Sequence, residues 1–111
     1  MAGITSTLII RALDGLTARS VATAENIANA GSPGFRPLRV SFEEALAAAA
    51  GRDDGSAGAV RPHTDTAPSA EPVRVDLELA TASSTALRYA ALTELLGRQM
   101  QIEAVAINGN Q

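Results

Sequence analysis

Residues 24–35 read AENIANAGSPGF, and this stretch decides how the chain is organised. It closes a helical pattern that begins near the N-terminus and then breaks it, because Gly31, Pro33 and Gly34 cannot continue a regular helix. Asn26 and Asn29 carry side chains able to hydrogen-bond the backbone where a helix unwinds. Ser32, Pro33 and Gly34 fit a turn in which proline sets φ at the second position and glycine takes positive φ at the third. Phe35, one of three aromatic residues in the chain, offers a ring to pin that turn against a neighbour.

Outward toward the N-terminus, the pattern predicts one long helix over 4–30, with Thr5 or Ser6 at its cap. A heptad frame picks out Ser6, Ile9, Leu13, Leu16, Ser20, Thr23, Ile27 and Ala30, a seam with enough polar members to be thin. Arg11, Asp14 and Glu25 fall on the opposite side. Gly15 sits in mid-helix, where it costs about 1 kcal/mol relative to alanine.

Outward toward the C-terminus, Pro37 biases residues 36–40 to an extended path. Ser41 with Glu44 three residues on reads as a capping box, opening a short alanine-rich helix that Gly51 ends. Residues 52–72 are rich in glycine, proline and small polar side chains and lack periodicity, so they read as a flexible loop. His63, the sole histidine, falls there without visible partners and reads as solvent-exposed; Asp53 and Asp54 read as solvated charges rather than a calcium site. Asp76 offers an N-cap for a second long helix over 77–107, ended by Asn108 and Gly109. Its heptad frame is Leu79, Ala82, Ala86, Tyr89, Thr93, Leu96, Met100, Glu103 and Ile107, and a sustained 3.5-residue repeat implies a partner helix. Leu92, Leu95, Ile102 and Ala106 widen the stripe, and Glu94 precedes Arg98 by four residues in the favourable order.

These readings give a single all-α domain: an N-terminal helix in 1–30, a turn, short helix and flexible loop in 31–76, and a C-terminal helix in 77–111. The two long helices are expected to pair as an antiparallel, coiled-coil-like hairpin. That pairing leaves Leu92, Leu95 and Ile102 partly uncovered, and burying such side chains is worth roughly 1.5–3 kcal/mol each, which favours a further partner. Subunits that join head to tail without closing build tubes as well as rings.

Composition narrows the function classes. The net charge is −3 and all nine basic residues are arginines scattered along the chain, without the basic stripe of a nucleic-acid groove. With no cysteine there is no disulfide or thiolate metal site. No apolar run approaches the roughly 20 residues that span a bilayer. The opening MAGITSTLIIRALDG lacks a basic n-region and is not expected to be a secretory signal. No nucleophile–base pair, metal-spaced cluster or phosphate loop stands out, so neither an enzyme nor a cofactor or small-molecule substrate is expected.

The order Asn26, Ile27, Asn29, Pro33, Gly34, Phe35 resembles the N-terminal signature of the flagellar axial proteins (rod, hook and hook-associated proteins). Gly31 and Ser32 stand where that family has aspartate or asparagine and then threonine, and Phe35 stands for its tyrosine. The C-terminal half is similar to the end of the proximal rod proteins, the FlgB family, through Val75 and Asp76, Glu78, Leu87-Arg88-Tyr89, Leu92 and Leu96. Ala90 and Ala91 then follow, without the asparagine-bearing element of the other rod and hook proteins. The resemblance implies a structural subunit of the flagellar basal-body rod, exported through the flagellar export apparatus without a cleavable signal peptide. Its implied partners are its own copies, the neighbouring proximal rod protein and the ring-to-rod adaptor. The residues implied in packing are those of the turn together with Tyr89, Leu92, Leu96 and Met100. A sister proximal rod protein is the nearest alternative. A small helical regulator or chaperone explains the apolar stripe but not the Asn-Ile-Ala-Asn turn.

Overall fold

The structure, a computed structural model, describes residues 3–52 and 54–109. In chain order the elements are α1 (Ile4–Ala28), β1 (Leu38–Ser41), α2 (Glu43–Ala50), a 3-10 turn (Ser56–Ala59), β2 (His63–Thr66) and α3 (Val75–Gly109). The chain is mostly helical but not all-α, because β1 and β2 pair antiparallel with Leu38 opposite Thr66 and Ser41 opposite His63. The segment 52–72, expected to be a structureless loop, therefore carries a 3-10 turn and a strand. His-Thr-Asp-Thr has no apolar residue to announce a strand, and all four residues are exposed. The strand exists because its backbone pairs with β1, aided by two β-branched threonines.

The helix boundaries also move. α1 ends at Ala28 rather than at 30, where the Asn29 and Ala30 N–H groups turn back to the Glu25 and Ile27 carbonyls. Gly3 occupies its N-cap and neither Thr5 nor Ser6 caps it. Ser41 does not cap α2; it ends β1, and Phe42 stands at the cap with no side-chain bond. α3 begins at Val75, so Asp76 lies in its first turn, held by Arg74 at 2.9 and 3.2 Å. At the other end α3 runs through Asn108 and Gly109.

α1 is the central element. One of its sides meets β1, α2 and the 3-10 turn; another meets α3. Leu16, Ala22, Val40 and Phe42 form the buried hydrophobic cluster, with Ala12, Ala18, Leu38, Leu46 and Leu92 packed around it. α1 and α3 run antiparallel, since Ser6 meets Glu103 at one end and Asn26 meets Glu78 at the other. A 35-residue α3 is about 50 Å long, which accounts for most of the 63 Å long axis of the molecule.

Gly15 has a packing reason that periodicity could not reveal. The Phe42 ring lies directly on the α1 backbone there, and a β-carbon at position 15 would fall inside its van der Waals surface. The glycine is the socket for the aromatic ring.

The side of α3 that faces α1 differs from the heptad frame expected from sequence. Its covered positions are Glu78, Ala82, Thr85, Leu92, Leu96, Gln99 and Glu103. Positions 82, 96 and 103 keep their place, whereas 78, 85, 92 and 99 replace the expected 79, 86, 93 and 100. The apolar side chains of α3 mislead here, because Leu79 and Met100 lie beside this seam and not in it, and are more than half exposed.

Candidate functional site

The turn after α1 forms as its residue types require. The Phe35 N–H donates to the Ser32 carbonyl at 3.3 Å, placing Pro33 and Gly34 at the two central positions. Gly34 has φ +74°, the left-handed value its place in the turn demands. Asn29 braces the turn from the helix side: its Nδ2 donates to the Glu25 carbonyl at 2.9 Å and its Oδ1 accepts from Ser32 Oγ at 3.1 Å. Asn29 itself keeps a negative φ of −104°, so glycine alone supplies the reversal. Ile27 is half-buried. Phe35 is half-buried beside Gly34, Pro72 and Val73.

Asn26 is the point where three elements meet. It is 1 % exposed, and its carboxamide both accepts from the Leu38 N–H at 2.8 Å and donates to the Leu38 carbonyl at 3.0 Å. A side-chain amide paired this way acts as one peptide unit of a further strand, closing the outer edge of β1. The same Nδ2 reaches Glu78 Oε2 of α3 at 3.2 Å, while Arg39 of β1 donates to Glu78 Oε1 at 2.8 Å. Glu78 is 5 % exposed, and these two donors compensate its burial. The sequence pattern points to Asn26 for the turn but not to Glu78 or Arg39. The signal available was an acidic residue placed early in a helix, which also occurs for helix-dipole reasons alone.

The next residue along the β1 edge is closed by Arg19. Its Nη2 donates to the Val40 carbonyl at 2.7 Å, its two Nη atoms grip Glu43 at 2.6 and 2.8 Å, and its guanidinium lies 4.9 Å from the Phe42 ring centroid. Arg88 of α3 approaches Glu43 at 3.6 Å from the other side. The Arg19 hydrogen bonds hold the Glu43 carboxyl down at about 2, from an ordinary value of 4.5. A depressed carboxylate adds stability that is fully present above the unfolded value and is lost as pH falls through the folded one. The stability gap between the wild type and Glu43→Gln is therefore expected to be widest above pH 4.5 and to close as pH falls toward about 2. Urea titrations at a series of acidic pH values measure it, and a gap that stays constant to pH 2 contradicts this pairing.

α3 carries the largest apolar surface. Leu79, Leu87, Leu95, Met100, Ile102, Val105 and Ile107 are all exposed, with Leu87 at 74 %. Of the residues expected at packing positions, Leu92 touches the core and Leu96 is half-buried on the α1 side. Met100 is 56 % exposed and lies off that seam, contrary to its expected place. Tyr89 is 42 % exposed and, with Leu16, Val21, Thr85 and Ala86, lines a groove of about 370 Å³ between α1 and α3. Glu94 and Arg98 form the expected pair at 2.8 Å, but both are exposed and contribute little.

His63 lies in β2 and bonds Asp65 Oδ1 at 2.8 Å through Nε2. Asp53 falls outside the described residues; Asp54 accepts from the Ser56 N–H at 3.0 Å. Among the described residues no group of three histidine, aspartate or glutamate side chains is placed to hold a metal ion, and no helix is long and apolar enough to cross a membrane. A scan against protein-family models gives no match, and neither does a search of curated proteins.

Proposed function

We propose that the chain is a structural subunit of the bacterial flagellar basal-body rod, in its proximal part, and that it assembles by helix packing. The observation that carries this reading is the exposure of seven large apolar side chains along α3, on its back and on both flanks of its contact with α1. Apolar exposure of that extent on a small helical protein calls for a protein partner. α1 and α3 act as a coiled-coil-like hairpin whose exposed apolar side chains meet other subunits. The resemblance of the turn and of the C-terminal half to axial proteins supplies the assembly in question. Its own copies, the neighbouring proximal rod protein and the ring-to-rod adaptor are the partners, reached by way of the flagellar export apparatus. The working location is the rod in the periplasm.

Deleting the gene in its host is expected to abolish swimming and to leave basal bodies without a complete rod. Wild-type protein restores both. Met100→Asp is expected to restore neither, although a substitution at so exposed a position changes the stability of the free chain by only about 0.5 kcal/mol. Normal motility and intact rods in the deletion strain would rule the reading out.

A further inference from the structure

α1 is covered by two layers of unlike chemistry. On one side β1, α2 and the 3-10 turn contribute the buried residues Phe42, Val40, Ala49 and Ala57, of which Phe42 and Val40 join Leu16 and Ala22 in the hydrophobic cluster. On the other side the face of α3 is mostly polar. Glu78, Thr85, Gln99 and Glu103 make up more of it than Ala82, Leu92 and Leu96, and only Leu92 reaches the hydrophobic cluster. Of the large apolar side chains of α3 this contact covers Leu92 and Leu96, each in part, so docking α3 on its own α1 removes little apolar area from water.

What holds α3 is a charged clasp at each end; the Arg88–Glu43 pair between them is long, at 3.6 Å, and exposed. Near its start, Glu78 takes hydrogen bonds from Asn26 and Arg39. Near its end, Glu103 Oε1 takes one from Ser6 Oγ at 2.7 Å and one from the Gly3 N–H at 3.2 Å. The connection to the rest of the fold runs from the last backbone tie of the ribbon, Ala67 N–H to the Pro37 carbonyl at 2.9 Å, to the start of α3 at Val75. Between them lie Pro68 and Pro72 and mostly exposed residues.

From this arrangement we infer that α3 is a releasable strap. It opens from α1 as a unit by releasing its two clasps, while α1, the β1–β2 ribbon and α2 stay folded on the Phe42 cluster. Opening pivots on 68–74 and uncovers Ser6 and Asn26 on α1. The bonds broken at each end are charge-assisted, strong singly but few, and opening returns little apolar area to water. Local opening of this kind draws on elements held by few buried apolar contacts, and the fully buried residues of α3 are Glu78 and Thr85, both polar.

Amide hydrogen exchange of the purified chain, followed by mass spectrometry at a concentration where it is monomeric, tests the strap. Amides in 80–100 are expected to exchange at least ~10-fold faster than those in 14–26, since each element reports its own opening equilibrium. Glu103→Gln, far from the ribbon, is expected to speed α3 exchange by a further ~10-fold, as loss of a charged hydrogen-bond acceptor implies, and to leave 14–26 within ~2-fold of wild type. Glu78→Gln is expected to act in the same direction at the other end. One common rate for α1 and α3, or variants that speed both helices equally, would overturn the inference.

Discussion

Phe42→Ala is expected to cost about 3–5 kcal/mol, the usual range for emptying the site of a well-buried phenylalanine. The ring is 4 % exposed and joins the end of β1 and the start of α2 to α1. It rests on Gly15 beneath the Arg19 guanidinium, so its removal opens a cavity that the backbone of α1 cannot fill. The opposite face of the contact gives a matched result. Gly15→Ala gains about 1 kcal/mol of helix propensity but forces a methyl into the ring, and overpacking of that kind costs about 1–3 kcal/mol. Gly97→Ala, in α3 with nothing near its added β-carbon, has the gain of about 1 kcal/mol without the clash. Urea unfolding should rank the variants Gly97→Ala above wild type, Gly15→Ala below it and Phe42→Ala lowest. A Gly15→Ala chain more stable than wild type would show that Phe42 does not sit on that glycine.

Asn26→Leu is the second large effect. The leucine matches the asparagine in bulk but leaves the Leu38 N–H without its partner and takes one of two donors from buried Glu78. An unpaired buried amide costs about 1–3 kcal/mol, and an under-bonded carboxylate at least as much. The Leu38 carbonyl is less affected, because Arg39 Nη1 also donates to it at 2.9 Å. Asn26→Asp keeps an acceptor for the Leu38 N–H yet sets a second carboxylate beside Glu78, so it should be no milder. Thermal unfolding of both variants measures this. A change within about 0.5 kcal/mol for Asn26→Leu, the range of an unimportant surface site, would remove Asn26 from the centre of the fold.

The long helices were legible because their signals are long. Twenty-five residues of α1 and thirty-five of α3 carry enough periodicity to survive errors at their ends. The turn was legible because proline and glycine state backbone angles directly, and Gly34 at φ +74° is the result. β2 was hidden because its four exposed residues hold no apolar alternation; its pairing depends on a partner strand more than twenty residues away. The frame of α3 is hidden for a related reason. Periodicity reports where apolar side chains cluster, and in α3 they are spread round the helix, so a 3.5-residue frame fits them without marking the contact with α1. Glu78 and Glu103, which make that contact, read as ordinary charged helix positions. Their roles depend on Asn26, Arg39 and Ser6, and nothing local to α3 names those partners.

The Gly15–Phe42 and Asn26–Leu38 contacts place the chain's rigidity on the α1 side. The exposed apolar side chains of α3 then remain the surface on which assembly depends. Under the proposed function, that surface becomes buried between subunits of the rod. The most direct measurement is quantitative mass spectrometry of hook–basal bodies purified from the host. The account predicts this chain among their components, in fixed proportion to the other rod subunits, and no complete hook–basal bodies from cells that carry only Met100→Asp. Intact basal bodies that contain every other rod subunit but not this chain would contradict it.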